Sequence, residues 1–159
     1  MSKRHPDYIV VEGPIGVGKT TLAKRLAKSF DTELMLELAT ENPFLPRFYS
    51  DPKTVALPTQ LFFLFQRAKQ IESLRQKDMF RPIQVSDFLI EKDKLFASVN
   101  LDNDELTLYQ QVYDRLTIDA QAPDLVIYLQ APTETLMQRI TERGYDYERA
   151  INYNYLKKI

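Results

Sequence analysis

The chain contains no cysteine and no tryptophan, and its only histidine is His5. Without cysteine there can be no disulfide, no thiol nucleophile and no cysteine-ligated zinc. A single histidine close to the start removes a Ser-His triad and most histidine metal sites. In an enzyme of this composition the expected base is a carboxylate. Glycine is scarce as well: there are four, and three of them fall within residues 13–18. Neither sign of charge dominates, with 21 Lys and Arg against 22 Asp and Glu. Nothing in bulk therefore draws the chain to nucleic acid or to an acidic membrane surface. The most apolar stretch, Leu57 to Phe65, is interrupted by Pro58, Thr59 and Gln60 and is too short to span a bilayer. The basic start lacks the apolar run of a secretory signal. These absences predict a reduced, cytoplasmic protein that binds neither nucleic acid nor membrane. At 159 residues, 44% apolar and 27% charged, it has the composition of one globular domain with one core.

What is present is an alternation. The β-branched run Tyr8 to Glu12 reads as a buried strand ending at Gly13, and residues 19–30 follow with Leu22, Ala23, Leu26 and Ala27 at helical spacing. Residues 33–38 form a weaker second strand. Residues 42–46 are a loop, and Ser50-Asp51-Pro52 is a break. Between Pro58 and Lys77, apolar residues at Leu61, Leu64, Phe65, Ala68, Ile71 and Leu74 make one helix face. A third strand is expected at 82–87 and a fourth at 124–129. A helix over 103–120 carries Asp104 and Glu105 in its first turn, where the dipole favours them. A last helix, capped by Thr133, stops at Gly144. Strands alternating with helices predict an α/β fold with a parallel sheet covered on both faces.

The chemistry is concentrated at Gly13, Pro14, Ile15, Gly16, Val17, Gly18, Lys19 and Thr20, which fit G-x-x-x-x-G-K-[ST] at every fixed position. A strand precedes the segment and a helix follows it. In that context the glycines let backbone N–H groups curl around phosphate oxygens, and the helix N-terminus adds positive charge. Lys19 neutralises the β- and γ-phosphates, and the Thr20 hydroxyl is suited to Mg²⁺. No Asn-Lys-x-Asp guanine motif accompanies it. Asp87 ends the third strand, the usual place for a metal-directed carboxylate. Glu37 lies at or near the end of the second, on the side of the sheet where ligands bind. With no usable histidine, Glu37 is the best-placed base to take a proton from an attacking hydroxyl.

In this order and spacing the residues resemble the deoxynucleoside kinases, most closely the bacterial deoxyguanosine and deoxyadenosine kinases. The likeness runs from about Tyr8 to Leu156. It rests on Gly13 to Thr20, Glu37 with Glu41-Asn42-Pro43-Phe44, Gln60 with Arg67, Asp87 with Asp93, Phe96 and Ala97, and Arg139 with Arg143, Gly144 and Glu148. It implies a P-loop kinase fold, a three-layer α/β/α sandwich, with a lid over about 139–149. It further implies that Gln60 holds the base edge, that Arg67 paired with Asp93 shapes base choice, and that Phe96 closes on the base. Tyr49 and Glu148 would reach the sugar 3′-hydroxyl. Arg139 and Arg143, four apart on one helix face, would clamp the transferring phosphoryl group from the lid. Two departures stand out. Phe88 occupies the position after the strand-end acid where the family usually has arginine, which lowers activity or passes the task to another cation. Tyr145 replaces a third lid arginine.

The expected reaction is transfer of a phosphoryl group from Mg²⁺-ATP to the 5′-hydroxyl of a deoxynucleoside, purine favoured. Glu37 would be the base, Thr20 and Asp87 would hold Mg²⁺, and Lys19, Arg139 and Arg143 would stabilise the phosphoryl oxygens. The competing readings are a thymidylate-type monophosphate kinase, for which Arg47 and Arg67 would have to bind an acceptor phosphate, and a nucleotide-binding module without turnover. The resemblance also implies a homodimer through the helices at 58–77 and 103–120. Members of the family continue with a further helical stretch and a final strand beside 124–129. One domain over 1–159 that is incomplete at its C-terminal side, with an open sheet edge, is the corresponding expectation.

Overall fold

The computed structural model describes residues 6–76, 83–117 and 120–159. His5, Lys77, Pro82 and residues 118–119, at the limits of the expected elements, lie outside the described residues. Four strands form one parallel sheet: β1 (Tyr8–Glu12), β2 (Leu34–Met35), β3 (Gln84–Ser86) and β4 (Leu125–Tyr128), in the order β2-β3-β1-β4. The expected α/β class and parallel sheet are borne out. β1 is central and wholly buried, with Ile9 opposite both Val85 and Leu125.

Side chains alternate across a strand, and β1 shows both layers of the core. Ile9 and Val11 pack with Ala23, Ala27 and Val85, under helix α1 (Lys19–Ser29). Tyr8 and Val10 face the other way, onto Leu74 of α3 (Pro52–Gln76). That second layer holds the largest cluster, built from α2 (Leu45–Phe48), α3, α4 (Lys92–Asn100) and α5 (Asn103–Leu116). It includes Phe48, Leu64, Phe88, Tyr109 and Tyr113. Helix α6 (Thr133–Arg143) sets Leu136 and Ile140 against Val17 of the Gly13–Thr20 loop, and α7 (Tyr153–Lys158) follows.

The differences from expectation have local causes. β2 is two residues long rather than six and pairs only with β3. α3 starts six residues earlier than Pro58, which sits inside the helix. The Thr59 hydroxyl donates to the Val55 carbonyl at 2.6 Å in that first stretch. α5 ends at Leu116, short of residue 120. It begins with a reciprocal cap: Glu105 N–H donates to Asp102 Oδ1 at 2.9 Å, and Asp102 N–H donates to Glu105 Oε2 at 3.1 Å. Thr133 is not a cap; it is the first residue of α6, preceded by Pro132, with no side-chain cap hydrogen bond. Gly144 does end that helix, at φ +65°. Among the described residues no helix is long and apolar enough to cross a membrane.

Candidate active site

The C-terminal ends of β1, β2 and β3 lie side by side, and each delivers a carboxylate: Glu12, Glu37 and Asp87. The Gly13–Thr20 loop leaves β1 at this edge. Gly13 has φ +153°, and a Cβ there would lie 2.5 Å from the Leu129 carbonyl oxygen. Only glycine fits both the backbone and the gap. Gly13→Ala is expected to destabilise the fold by about 2–4 kcal/mol, combining backbone strain with overpacking. A denaturant titration checks this, and an unchanged midpoint would contradict it.

Lys19 Nζ donates to the carbonyls of Gly13 (2.9 Å) and Pro14 (3.0 Å) in its own loop. The Thr20 hydroxyl donates to Asp87 Oδ2 at 2.5 Å, and Glu37 N–H donates to Asp87 Oδ1 at 2.7 Å. Burial raises the Asp87 carboxyl above its ordinary value, opposed by those two hydrogen bonds. For Glu37 burial also acts upward, but Arg67, Lys92 and Lys19 outweigh it and leave the carboxyl below its ordinary value. Glu37 therefore stays ionised while 24% of its side chain remains exposed. Lys19 moves the other way: burial and then the Lys92 charge lower it to about 8.

These groups line one cavity of ≈ 530 Å³, a size suited to a small-molecule ligand. Lys19, Thr20, Glu37 and Asp87 lie along it together with Tyr49, Gln60, Arg67, Asp93, Phe96, Arg143 and Glu148. Gln60 and Arg67, two turns apart on α3, do share a face. Both are buried. The Arg67 guanidinium joins two carboxylates, Nη2 donating to Glu37 Oε1 and Nη1 meeting Asp93 Oδ1. It is 4.9 Å from the Phe63 ring centroid and 5.9 Å from that of Phe88. Phe88 is 1% exposed, so position 88 belongs to the core that backs Arg67. Burial raises the Tyr49 phenol well above its ordinary value.

The two arginines expected in a lid part company. Arg139 Nη1 donates to the Val17 carbonyl at 3.1 Å and lines a shallower cavity on the outer side of the Gly13–Thr20 loop, together with Arg25. Arg143 lines both cavities and is bound to Glu148 through Nε (2.7 Å to Oε2) and Nη2. Its guanidinium lies 5.2 Å from the Tyr145 ring, which stacks on Tyr147. Burial pushes the Tyr147 phenol up to about 12.

Several lining residues were not among the expected site residues, including Phe63, Lys92, Tyr147 and Tyr155. Lys92 matters most. It donates to Glu12 Oε1 at 2.6 Å and to the Gly13 carbonyl at 2.7 Å. The one available signal was Glu12 itself, an acid at the end of a buried strand that requires a cation.

The descriptive family model for deoxynucleoside kinase matches residues 9–159. The chain belongs to the deoxynucleoside kinase family. Deoxynucleoside kinases are ATP-dependent phosphotransferases, and this is the chemistry to which the site belongs. The deoxyguanosine kinase of Bacillus subtilis is 36% identical over 154 residues, which span 96% of this chain and 74% of the relative. A deoxyguanosine kinase of Lactobacillus acidophilus is 32% identical over 151 residues, 89% of this chain and 64% of that one. Among solved structures, deoxyadenosine kinase from M. mycoides with bound dATP superposes with a TM-score of 0.83 at 27% identity, covering 97% of this chain and 79% of that one. The expected P-loop kinase fold is thereby confirmed.

Proposed function

We propose that this deoxynucleoside kinase phosphorylates the 5′-hydroxyl of purine deoxynucleosides, with Glu37 as the general base. The carrying observation is that Glu37 lies in one cavity between the phosphate-binding Lys19 and Thr20 and the Gln60, Arg67 and Phe96 side chains. An ionised carboxylate beside a phosphate cradle is what removal of a hydroxyl proton during phosphoryl transfer requires. Gln60 offers an amide to the base edge, Phe96 a ring to its face, and the Arg67–Asp93 pair shapes the pocket. Tyr49 and Glu148 take the sugar 3′-hydroxyl. Lys19, Arg139 and Arg143 act on phosphoryl oxygens, most of the rate coming from positioning and preorganised charge. Arg143 reaches them by leaving Glu148, so residues 139–149 act as a lid. Purine preference is supported by the deoxyguanosine kinases among the relatives.

Kinases of this kind use a divalent metal, and we assign Mg²⁺. The donors fit a hard cation: the Thr20 hydroxyl and an Asp87 oxygen stand 2.5 Å apart at the loop. Two protein oxygens, with phosphates and water completing the shell, are typical of Mg²⁺. When bound, the ion neutralises charge on the β- and γ-oxygens. The monophosphate-kinase alternative is not favoured. Arg47 packs on the Phe44 ring outside the cavity, and Arg67 is already held by two carboxylates. Exposed Leu108 on α5 and Phe65 on α3 support a homodimer through these helices.

A coupled assay of ADP release over a panel of deoxynucleosides tests the proposal. Deoxyguanosine or deoxyadenosine should raise turnover most, and no response to any deoxynucleoside would refute it. The same assay has an expected pH profile. kcat/KM reports the free enzyme, where the Lys19 ammonium is half lost at about pH 8. kcat/KM for ATP should therefore fall above about pH 8, approaching tenfold per unit. kcat should hold to higher pH, because bound phosphate keeps Lys19 charged. The acid limb should fall below the ordinary glutamate value, since Glu37 is shifted down. An alkaline limb near the lysine value of 10.5 in kcat/KM would contradict the assignment of Lys19.

A further inference from the structure

We infer that Lys92 is a second phosphoryl-binding cation of this site, acting beside Lys19 on the oxygens of the group transferred. The inference rests on the kinase reading above and adds a residue to it. Lys19 and Lys92 are far apart in sequence, yet both ammonium groups donate to the same acceptor, the Gly13 carbonyl oxygen, at 2.9 and 2.7 Å. Two like charges on one neutral oxygen repel. An anion between them would relieve the repulsion and accept stronger, charge-assisted bonds than a carbonyl can. Each ammonium has three donors. Lys19 uses two on the loop, and Lys92 uses two, on Gly13 and on Glu12 Oε1 at 2.6 Å. Each keeps a third for the cavity they line.

Position in the fold supports the same role. Lys92 is the first residue of α4. A cation in a first turn opposes the helix dipole, so helix stability gives no reason for lysine there. The side chain lies 5.2 Å from the Phe96 ring and is 16% exposed, placed between the loop and the proposed base pocket. Phe88, four residues earlier and before the helix begins, is in the core and contributes no charge. Lys92 thus supplies a positive charge to this end of the site, and Glu12 holds it in place. Glu12 is itself fixed by the Gly13 and Leu89 N–H groups at 2.7 and 3.0 Å.

The competing explanation is that Lys92 only neutralises buried Glu12, and paired variants separate the two. Lys92→Met should lower kcat about 100-fold, the effect of losing one preorganised donor, with KM for the deoxynucleoside within about threefold. Lys92→Arg, which keeps the charge, should recover most of the loss. The double variant Glu12→Gln/Lys92→Met leaves no unpaired buried charge, so it folds even if Lys92→Met does not. A phosphoryl role keeps the double variant slow and weakens its affinity for inorganic tripolyphosphate, measured by calorimetry without metal or nucleoside. Recovery of wild-type kcat and tripolyphosphate affinity in the double variant would overturn the inference. In the unaltered chain, tripolyphosphate should shift the NMR signals of both ammonium groups, and a shift at Lys19 alone would also overturn it. If the wild-type chain turns over no deoxynucleoside, it is the kinase reading that fails, and the tripolyphosphate measurements still decide Lys92.

Discussion

Glu37→Gln is expected to lower kcat by about 10²- to 10⁴-fold, the range for loss of a positioned general base. The substitution keeps the shape of the side chain and removes its ability to accept a proton. The Glu37 N–H that donates to Asp87 Oδ1 belongs to the backbone and survives. Arg67 loses one of its two carboxylates but keeps Asp93, so it is not left as an unpaired buried charge. Folding should therefore change little, and KM for the deoxynucleoside should stay within severalfold. Steady-state kinetics on a variant with a near wild-type melt would check this. Turnover within threefold of wild type would mean that another group takes the proton. No histidine or cysteine lies among the described residues to do so.

Arg67→Met is expected to have the largest effect on stability. Arg67 is the cation that joins Glu37 to Asp93, and the Asp93 side chain has no solvent exposure. Removing one partner of a buried pair leaves the other charge uncompensated, which costs about 3–5 kcal/mol. A domain of this size has roughly 5–15 kcal/mol in total. At about 2–4 °C per kcal/mol, the melting temperature should drop by about 10 °C. Methionine keeps much of the packing against Phe63 and Phe88, so the loss reports the charge. The double variant Arg67→Met/Asp93→Asn should regain most of the stability while leaving base selection impaired. A melt of Arg67→Met within 2 °C of wild type would show that Asp93 finds another partner or takes up a proton without cost.

Much of the site could be read from the sequence where its geometry is set within a few residues. The Gly13–Thr20 spacing dictates a loop and a helix start whatever surrounds it. Gly144 marks the end of α6 for the same reason, since only a residue tolerant of positive φ sits well there. Gln60 and Arg67 fall on one face because helical periodicity alone places them. Elements whose reason for being lies elsewhere were harder. α4 carries Leu95 at 67% exposure and Phe96 in the cavity, so its apolar residues mark no simple core face. β2 pairs over only two residues, Leu34 with Val85 and Met35 with Ser86, an extent set by its partner in the sheet rather than by residues 33–38 alone.

The sequence by itself determined the α/β class and the phosphate-binding loop, and the absence of cysteine with the single histidine directed the proposal of a base toward a carboxylate. Backbone conformation and elimination by composition are local or global properties that need no knowledge of distant contacts. The tertiary structure decided which charge meets which. It joined Arg67 to both Glu37 and Asp93, tied Arg143 to Glu148, turned Phe88 into core behind Arg67, and brought Lys92 to the carbonyl that Lys19 also holds. Ion pairing depends on distance through space and on loss of water. Both are settled only when the sheet and the helices around it close on one another.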